Sequence, residues 1–407
     1  MRDYRLLKKE STWTPELRTT ILLGFLLRLL MVVTVVYIAS EFWDIYYLED
    51  DKKYEELAAI YRANARGLID KDLFDTITMG YAATFWPFVM CVCTKLFGTI
   101  YIGRFINVIL STIIIGVTYN LCYEASENKK TALTAARLFA FLPFSVLVSC
   151  FPIKDIFIML GTMYAFYIFV RVQKGRKVSV AQWILLAGLL VGVFLSRGAV
   201  TELLLIFFFV YYLYQLLKAK KFFAAGLLLA VFLVVFAVFR STIMASFTTK
   251  WDTYGSYGAD EAVGLNAIRV TGITDIYKLP LAYAFAMLQP MKMELLTVGE
   301  DVRQWRLVMG YANMTMYPVA VGAWLYMFVK KHNIIFWLSS FVMFSAILMM
   351  SLGVSRHYLF LLPIHMINSS LYMEETHENF KNRRTIIILG SFALLLVVFC
   401  YSLVKVL

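Results

Sequence analysis

The chain has 407 residues, 61% hydrophobic and 16% charged, with a mean hydropathy of +0.71. Soluble domains run about 45–50% apolar and about 25% charged, so a water-soluble enzyme is excluded and a polytopic membrane protein is expected. The net charge of +12 would point a soluble protein toward nucleic acid. Here the cations gather at the ends of apolar runs, where orientation in a membrane accounts for them, and no nucleic-acid partner is expected.

The N-terminus is too polar, and its first apolar run too long, for a cleaved signal peptide; it is expected to be retained. Runs long enough for a membrane-spanning helix fall at residues 19–40, 99–122, 131–150, 153–172, 180–197, 199–217, 222–240, 310–330, 334–351, 355–373 and 385–405. The expectation is an all-α integral membrane protein of about eleven spans, a single polytopic domain over 1–407. Two further apolar stretches, 82–97 with Pro87 and 279–291 between Pro280 and Pro290, are short for a span.

If neither short stretch crosses, one side collects Arg2, Arg5, Lys8, Lys9, Arg18, Lys129, Lys130, Arg171, Lys174, Arg176, Lys177, Lys218, Lys220, Lys221, Lys330, Lys331, Lys381, Arg383 and Arg384. The short loops opposite hold only Lys154, Arg197 and Arg356. The positive-inside rule then makes the N-terminus cytoplasmic. It leaves two long extracytoplasmic loops, 41–98 and 241–309. Within the first, Leu57, Ile60, Tyr61 and Leu68 form a stripe opposed by Glu55, Arg62 and Arg66, the pattern of an amphipathic helix at the interface. The five cysteines, Cys91, Cys93, Cys122, Cys150 and Cys400, show no metal-ligand spacing and read as buried thiols.

On this topology the ionisable residues at span ends share the extracytoplasmic side. Asp50 and Asp51 follow span one, within Leu48-Glu49-Asp50-Asp51-Lys52-Lys53-Tyr54. Lys154 and Asp155 lie between spans three and four, Arg197 and Glu202 between five and six, Arg240 after span seven, and Arg356-His357 between nine and ten. Each alone reads as an interfacial anchor; together they point to a shared polar cavity. Arg28, midway along the first span, reads as a packed or lipid-phosphate contact.

Acids and cations in such a cavity suit one chemistry. A carboxylate acts as general base toward a hydroxyl. Arginines and lysines hold a phosphate and stabilise the charge it gains on leaving. A lipid-phosphate sugar supplies that leaving group, so one base and a cationic clamp suffice for glycosyl transfer, inverting if the hydroxyl attacks directly.

The residues also carry a resemblance. The acidic pair of Asp50-Asp51-Lys52-Lys53-Tyr54, with Ala58 beyond, is followed by Trp86-Pro87-Phe88 and Leu96-Phe97-Gly98. Arg104-Phe105-Ile106-Asn107, Pro143 with Lys154-Asp155, and Arg356-His357-Tyr358 with Pro363 complete the order. In that order the chain resembles the GT-C superfamily of polyprenyl-phosphate-sugar-dependent glycosyltransferases, nearest the bacterial relatives of protein mannosyltransferases and aminoarabinose transferases.

The resemblance implies Asp50 as catalytic carboxylate, Asp51 as its neighbour and Asp155 as a second acidic site. Lys154, Arg197, Arg240, Arg356 and His357 are the candidates for substrate binding. Implied partners are a polyprenyl-phosphate-linked sugar donor, a glycan, lipid or protein acceptor, and membrane lipids. The place is the cytoplasmic membrane, in cell-surface glycan assembly. No metal cage is visible; Asp50, Asp51 and Asp155 leave open a divalent ion, magnesium or manganese. The competing readings are a polymerase of lipid-linked repeat units and a lipid-linked sugar flippase or transporter. A transporter calls for repeat symmetry and midplane polar residues on broken helices, which the sequence does not display.

Overall fold

A computed structural model describes residues 14–46, 49–78, 84–234, 237, 277–278, 304–329, 359–374 and 380–406. Arg240, Arg356, His357, the run 334–351 and the stretch 279–291 lie outside the described residues, as does nearly all of the loop 241–309. Among the described residues every regular element is a helix.

The first, α1 (Pro15–Val33), starts where the Thr14 hydroxyl accepts from the Leu17 N–H and Pro15 takes the first helical position, both favourable at a helix start. It continues through a wider turn at Thr34–Ile38 to Glu41. Two amphipathic helices, α2 (Glu49–Asn64) and α3 (Lys71–Ile77), precede α4 (Phe85–Phe97). At 13 residues α4 is about 20 Å long, short of the roughly 30 Å of bilayer hydrocarbon, as its sequence implies. Lys95 of α4 donates to the carbonyls of Arg62 at 3.1 Å and Ala65 at 2.9 Å. A cation thus closes the carboxyl end of α2 and pins the two helices together.

The centre of the bundle is α5 (Ile102–Ser126), against which α1, α6 (Lys129–Phe141) and α8 (Asp155–Gln173) pack. The run 131–150 is not one span. It breaks at Leu142, and α7 (Pro143–Val148) restarts in a new direction. The cause is chemical: Pro143 has no N–H for the Phe139 carbonyl four residues back. Arg28 fills the gap. Its Nη2 donates to Phe139 O at 2.7 Å, its Nη1 to Ala140 O at 2.9 Å and Gly24 O at 3.1 Å, and its Nε to Ser149 Oγ at 3.3 Å. Of its two expected roles, the guanidinium takes the packed one, fully buried.

The runs 180–197 and 199–217 form α9 (Val180–Lys218), which doubles back at Arg197, the extended residue inside it (φ −159°, ψ 83°). Thr201 Oγ1 lies 3.5 Å from Leu190 O, whereas 11 residues of straight helix span about 16 Å. Both limbs lie along α8. Gly192 of the first touches Phe157, and Phe207, Phe208 and Tyr211 of the second ring Phe169.

The remaining described helices are α10 (Phe222–Val234), α11 (Gln304–Met314), α12 (Tyr317–Val329), α13 (Leu362–Glu374) and α14 (Phe380–Val406). The run 310–330 is therefore divided near Thr315.

Among the described residues five segments are long and apolar enough to cross a membrane: Pro15–Glu41, Ile102–Ser126, Asp155–Gln173, Val180–Gly198 and Val200–Lys218. Outward faces are apolar, as with Leu22, Leu23, Leu26 and Leu30 on α1 and, beyond those five, Ile388, Leu389 and Phe392 on α14. Such continuous apolar exterior suits lipid. Over the described residues the chain is all-α, with the long apolar helices of a membrane protein. Cys91, Cys122 and Cys150 are buried as expected, but Cys93 is half-buried and Cys400 exposed.

Candidate active site

One end of the bundle gathers buried charge. Helix α2 turns Asp51, Tyr54, Glu55, Leu57, Ala58 and Tyr61 inward, with Ala65 buried just past its end, spaced mostly three and four apart on one face. This corrects the expected stripe: Glu55 is on the buried side, while Ile60 and Leu68 are exposed. The Asp51 carboxylate has no exposure and accepts from the Lys52 N–H at 3.0 Å. Asp50 beside it is half-buried.

Glu55 is buried because Arg104, near the start of α5, meets it. Arg104 Nε donates to Glu55 Oε1 at 2.7 Å and Nη2 to Oε2 at 3.3 Å, and neither side chain is exposed. Nη1 donates to Ile45 O at 3.0 Å, tying the segment before α2 to the same guanidinium. The cation lies over the rings of Tyr46 at 5.7 Å and Phe151 at 5.8 Å, a favourable arrangement. Burial pushes the Glu55 carboxyl above its ordinary range, against the opposing pull of Arg104 and of the hydrogen bond from Tyr46. Burial, and then the neighbouring Glu55, hold the Tyr46 hydroxyl well above its usual value.

The segment 151–154 then carries the chain to α8. Asn107, one turn after Arg104, donates to Phe151 O at 2.6 Å and Ile153 O at 2.9 Å. Trp86 Nε1 of α4 donates to Pro152 O at 2.8 Å. Gly103 lets this segment in: a Cβ there would meet Met90 Cε at 2.7 Å and Pro152 Cβ at 3.1 Å. Two helices, α4 and α5, thus fix the approach to Asp155, which opens α8 just after half-buried Lys154.

Arg197 reaches Asp155 from the reversal in α9, with Nη1 2.9 Å from Oδ1 and only 8% and 4% of the two side chains exposed. The N–H of that nitrogen does not point along the contact, so the pair is held by charge rather than by an aligned hydrogen bond. In a low-dielectric site such a pair is strongly coupled. An arginine held this way presents a cation that a carboxylate already compensates.

The structure thus joins Asp155 to Arg197 and sets Asp51 one turn from the Glu55–Arg104 pair at the same end of the bundle. It does not bring Asp50, Asp51 and Asp155 together as a metal cage: among the described residues no three His, Cys, Asp or Glu side chains could hold an ion. Arg240, Arg356 and His357 lie outside the described residues. Charge reasoning missed Glu55, which it placed on the wrong face, and it gave no role to Trp43 or Trp305. Arg104, Asn107 and Trp86 were noticed only as features in an order; their pairing partners are far away in sequence.

No protein family is matched by the chain, and no curated protein matches it. Among solved structures it is similar to the archaeal oligosaccharyltransferase AglB from Archaeoglobus fulgidus, solved in complex with an inhibitory peptide and a dolichol-phosphate. The identity is 13% and the TM-score 0.46, over 95% of this chain and 55% of AglB. The chain spans about half the length of that protein.

Proposed function

We propose that the chain is a membrane glycosyltransferase, moving a sugar from a polyprenyl-phosphate donor to an acceptor hydroxyl at the extracytoplasmic face in cell-surface glycan assembly. The observation that carries the reading is the nearly buried Asp155–Arg197 pair, at the bundle end that also holds Asp51 and the Glu55–Arg104 pair. Buried charge on membrane helices is expensive and is found where it serves a site.

Asp50, half-buried beside Asp51, acts as general base and takes the acceptor proton. The acceptor oxygen forms a bond to the anomeric carbon as the bond from that carbon to the phosphate oxygen breaks, with inversion. The polyprenyl phosphate leaves with one more negative charge. Arg197 and Lys154 stabilise that charge, with Arg240, Arg356 and His357 as further donors to the carrier phosphate. Asp51 braces the base from inside α2, and Asp155 keeps Arg197 in place. The acceptor is a glycan, lipid or protein hydroxyl.

The test is release of polyprenyl phosphate by purified protein in lipid, supplied with a polyprenyl-phosphate hexose and membrane-derived acceptor. Asp50→Asn is expected to lower turnover about 10²–10⁴-fold, the usual worth of a general base, with the helical circular dichroism unchanged. Full turnover in the variant overturns the base assignment. A wild-type protein that releases no carrier overturns the reaction.

A further inference from the structure

We propose that Trp43 and Trp305 form a subsite for the pyranose ring of the lipid-linked sugar, an inference that rests on glycosyl transfer being the reaction. Trp305, in the first turn of α11, is 4% exposed, and among the described residues its Nε1–H has no hydrogen-bond partner. Buried indole N–H groups normally find an acceptor. Left without one, the group has lost its hydration with nothing in return, and an incoming oxygen restores the bond.

The rings around Trp305 show where that oxygen enters. Phe151 meets it edge to face at 5.7 Å and 70°, and Trp43 at 5.7 Å and 86°. Phe151 is fully buried and its carbonyl is held by Asn107. Trp43 is 42% exposed, on the turn between α1 and α2, its backbone N–H donating to Ala39 O at 2.8 Å. Of the two neighbours, Trp43 is the one able to yield. Its movement would open space against the Trp305 ring, near the Arg104 guanidinium that overlies Phe151 at 5.8 Å.

The chemistry of this place selects its ligand. A neutral N–H donor among ring faces suits a molecule with one apolar C–H face and hydroxyl acceptors, which describes a pyranose. An acyl chain would cover the rings and leave the donor unpaired. A lone phosphate would seek the cation rather than the indole. Trp43 and Trp305 therefore read the sugar, and the arginines read the phosphate.

Binding to full-length protein in lipid nanodiscs separates these roles, using bare polyprenyl phosphate and polyprenyl-phosphate glucose, galactose and mannose. Trp305→Phe keeps a ring and removes the donor. It is expected to weaken binding of the preferred hexose carrier about tenfold, the worth of one hydrogen bond, and to leave bare-carrier binding unchanged. Trp43→Ala, at an exposed position, is expected to act in the same direction and carries the test if Trp305→Phe does not fold. Equal losses for bare and sugar-bearing carriers, or no loss for the latter, overturn the subsite. So does a wild-type protein that binds bare carrier yet distinguishes none of the three hexoses from it. A wild-type protein that binds no carrier overturns the glycosyl-transfer reading as well.

Discussion

The two ends of the bundle carry similar side chains and use them in opposite ways. At the candidate-site end, Glu55–Arg104 is sealed from solvent and Asp155–Arg197 nearly so. At the other end, Glu124 and Glu127 at the close of α5 meet Arg171, Lys174 and Arg176 at 3.0–3.8 Å, and Lys130 meets Glu374 at 3.4 Å, with at least one partner of most pairs well exposed. Exposed pairs are screened and contribute little. Buried ones are held at the expense of desolvation, and breaking one strands a charge. Position in the bundle, not residue type, separates solvent-screened charge from charge held out of water.

Mutations can break this contrast. The largest effect on stability is expected from Glu55→Ala, which leaves Arg104 uncompensated and should cost about 3–5 kcal/mol, read as a lower unfolding midpoint in detergent. The double change Glu55→Leu with Arg104→Met should recover much of that loss; failure to recover would mean that the tie from Arg104 to Ile45 O matters more than the ion pair. Next comes Arg28→Met, which takes a buried donor from the Ala140 carbonyl at about 1–3 kcal/mol, while Phe139 O keeps the Ser145 hydroxyl at 2.6 Å. Lys174→Ala at the opposite end should change stability by less than about 1 kcal/mol. A loss there as large as that of Glu55→Ala would abolish the distinction between the ends.

The finest test is acid, where the ends should respond with opposite sign. The hydrogen bond and charge of Lys174 hold Glu127 below the usual carboxylate range. Its contribution is present at neutral pH and lost as pH falls through its folded-state value. Glu55 is shifted upward by burial, so the folded chain binds a proton there before the unfolded one does, and its term grows more favourable on acidification. The stability gap between wild type and Glu127→Gln should therefore close as pH falls from neutrality. The gap between wild type and Glu55→Gln should move in favour of wild type. Parallel movement of the two gaps would contradict the buried state of Glu55.

Much of the fold was legible because crossing a bilayer imposes length and hydropathy on each helix, and five expected runs appear as long apolar segments. The break at Leu142–Pro143 escaped notice because the run stays apolar across it; what changes is one missing N–H. The face of α2 was misread because a carboxylate ordinarily marks the solvent side, and only Arg104, 49 residues away, makes Glu55 an inward residue. Asp155 and Arg197 were assigned to one side by counting charges in loops, which gives a side but not a contact. The Trp43–Trp305 contact joins two turns that no periodicity relates.

Arg28 also constrains how the protein is made. Its acceptors at Phe139 and Ala140 lie 111 and 112 residues downstream, so at a synthesis rate of about 5–20 residues per second the first span waits roughly 5–20 s for them. During that interval the guanidinium has only the Gly24 carbonyl of its own helix, and a charge within a span carries a penalty of up to about 2.5–3.5 kcal/mol. The first helix therefore gains the greater part of its guanidinium's hydrogen bonding only when the broken helix arrives to receive the cation.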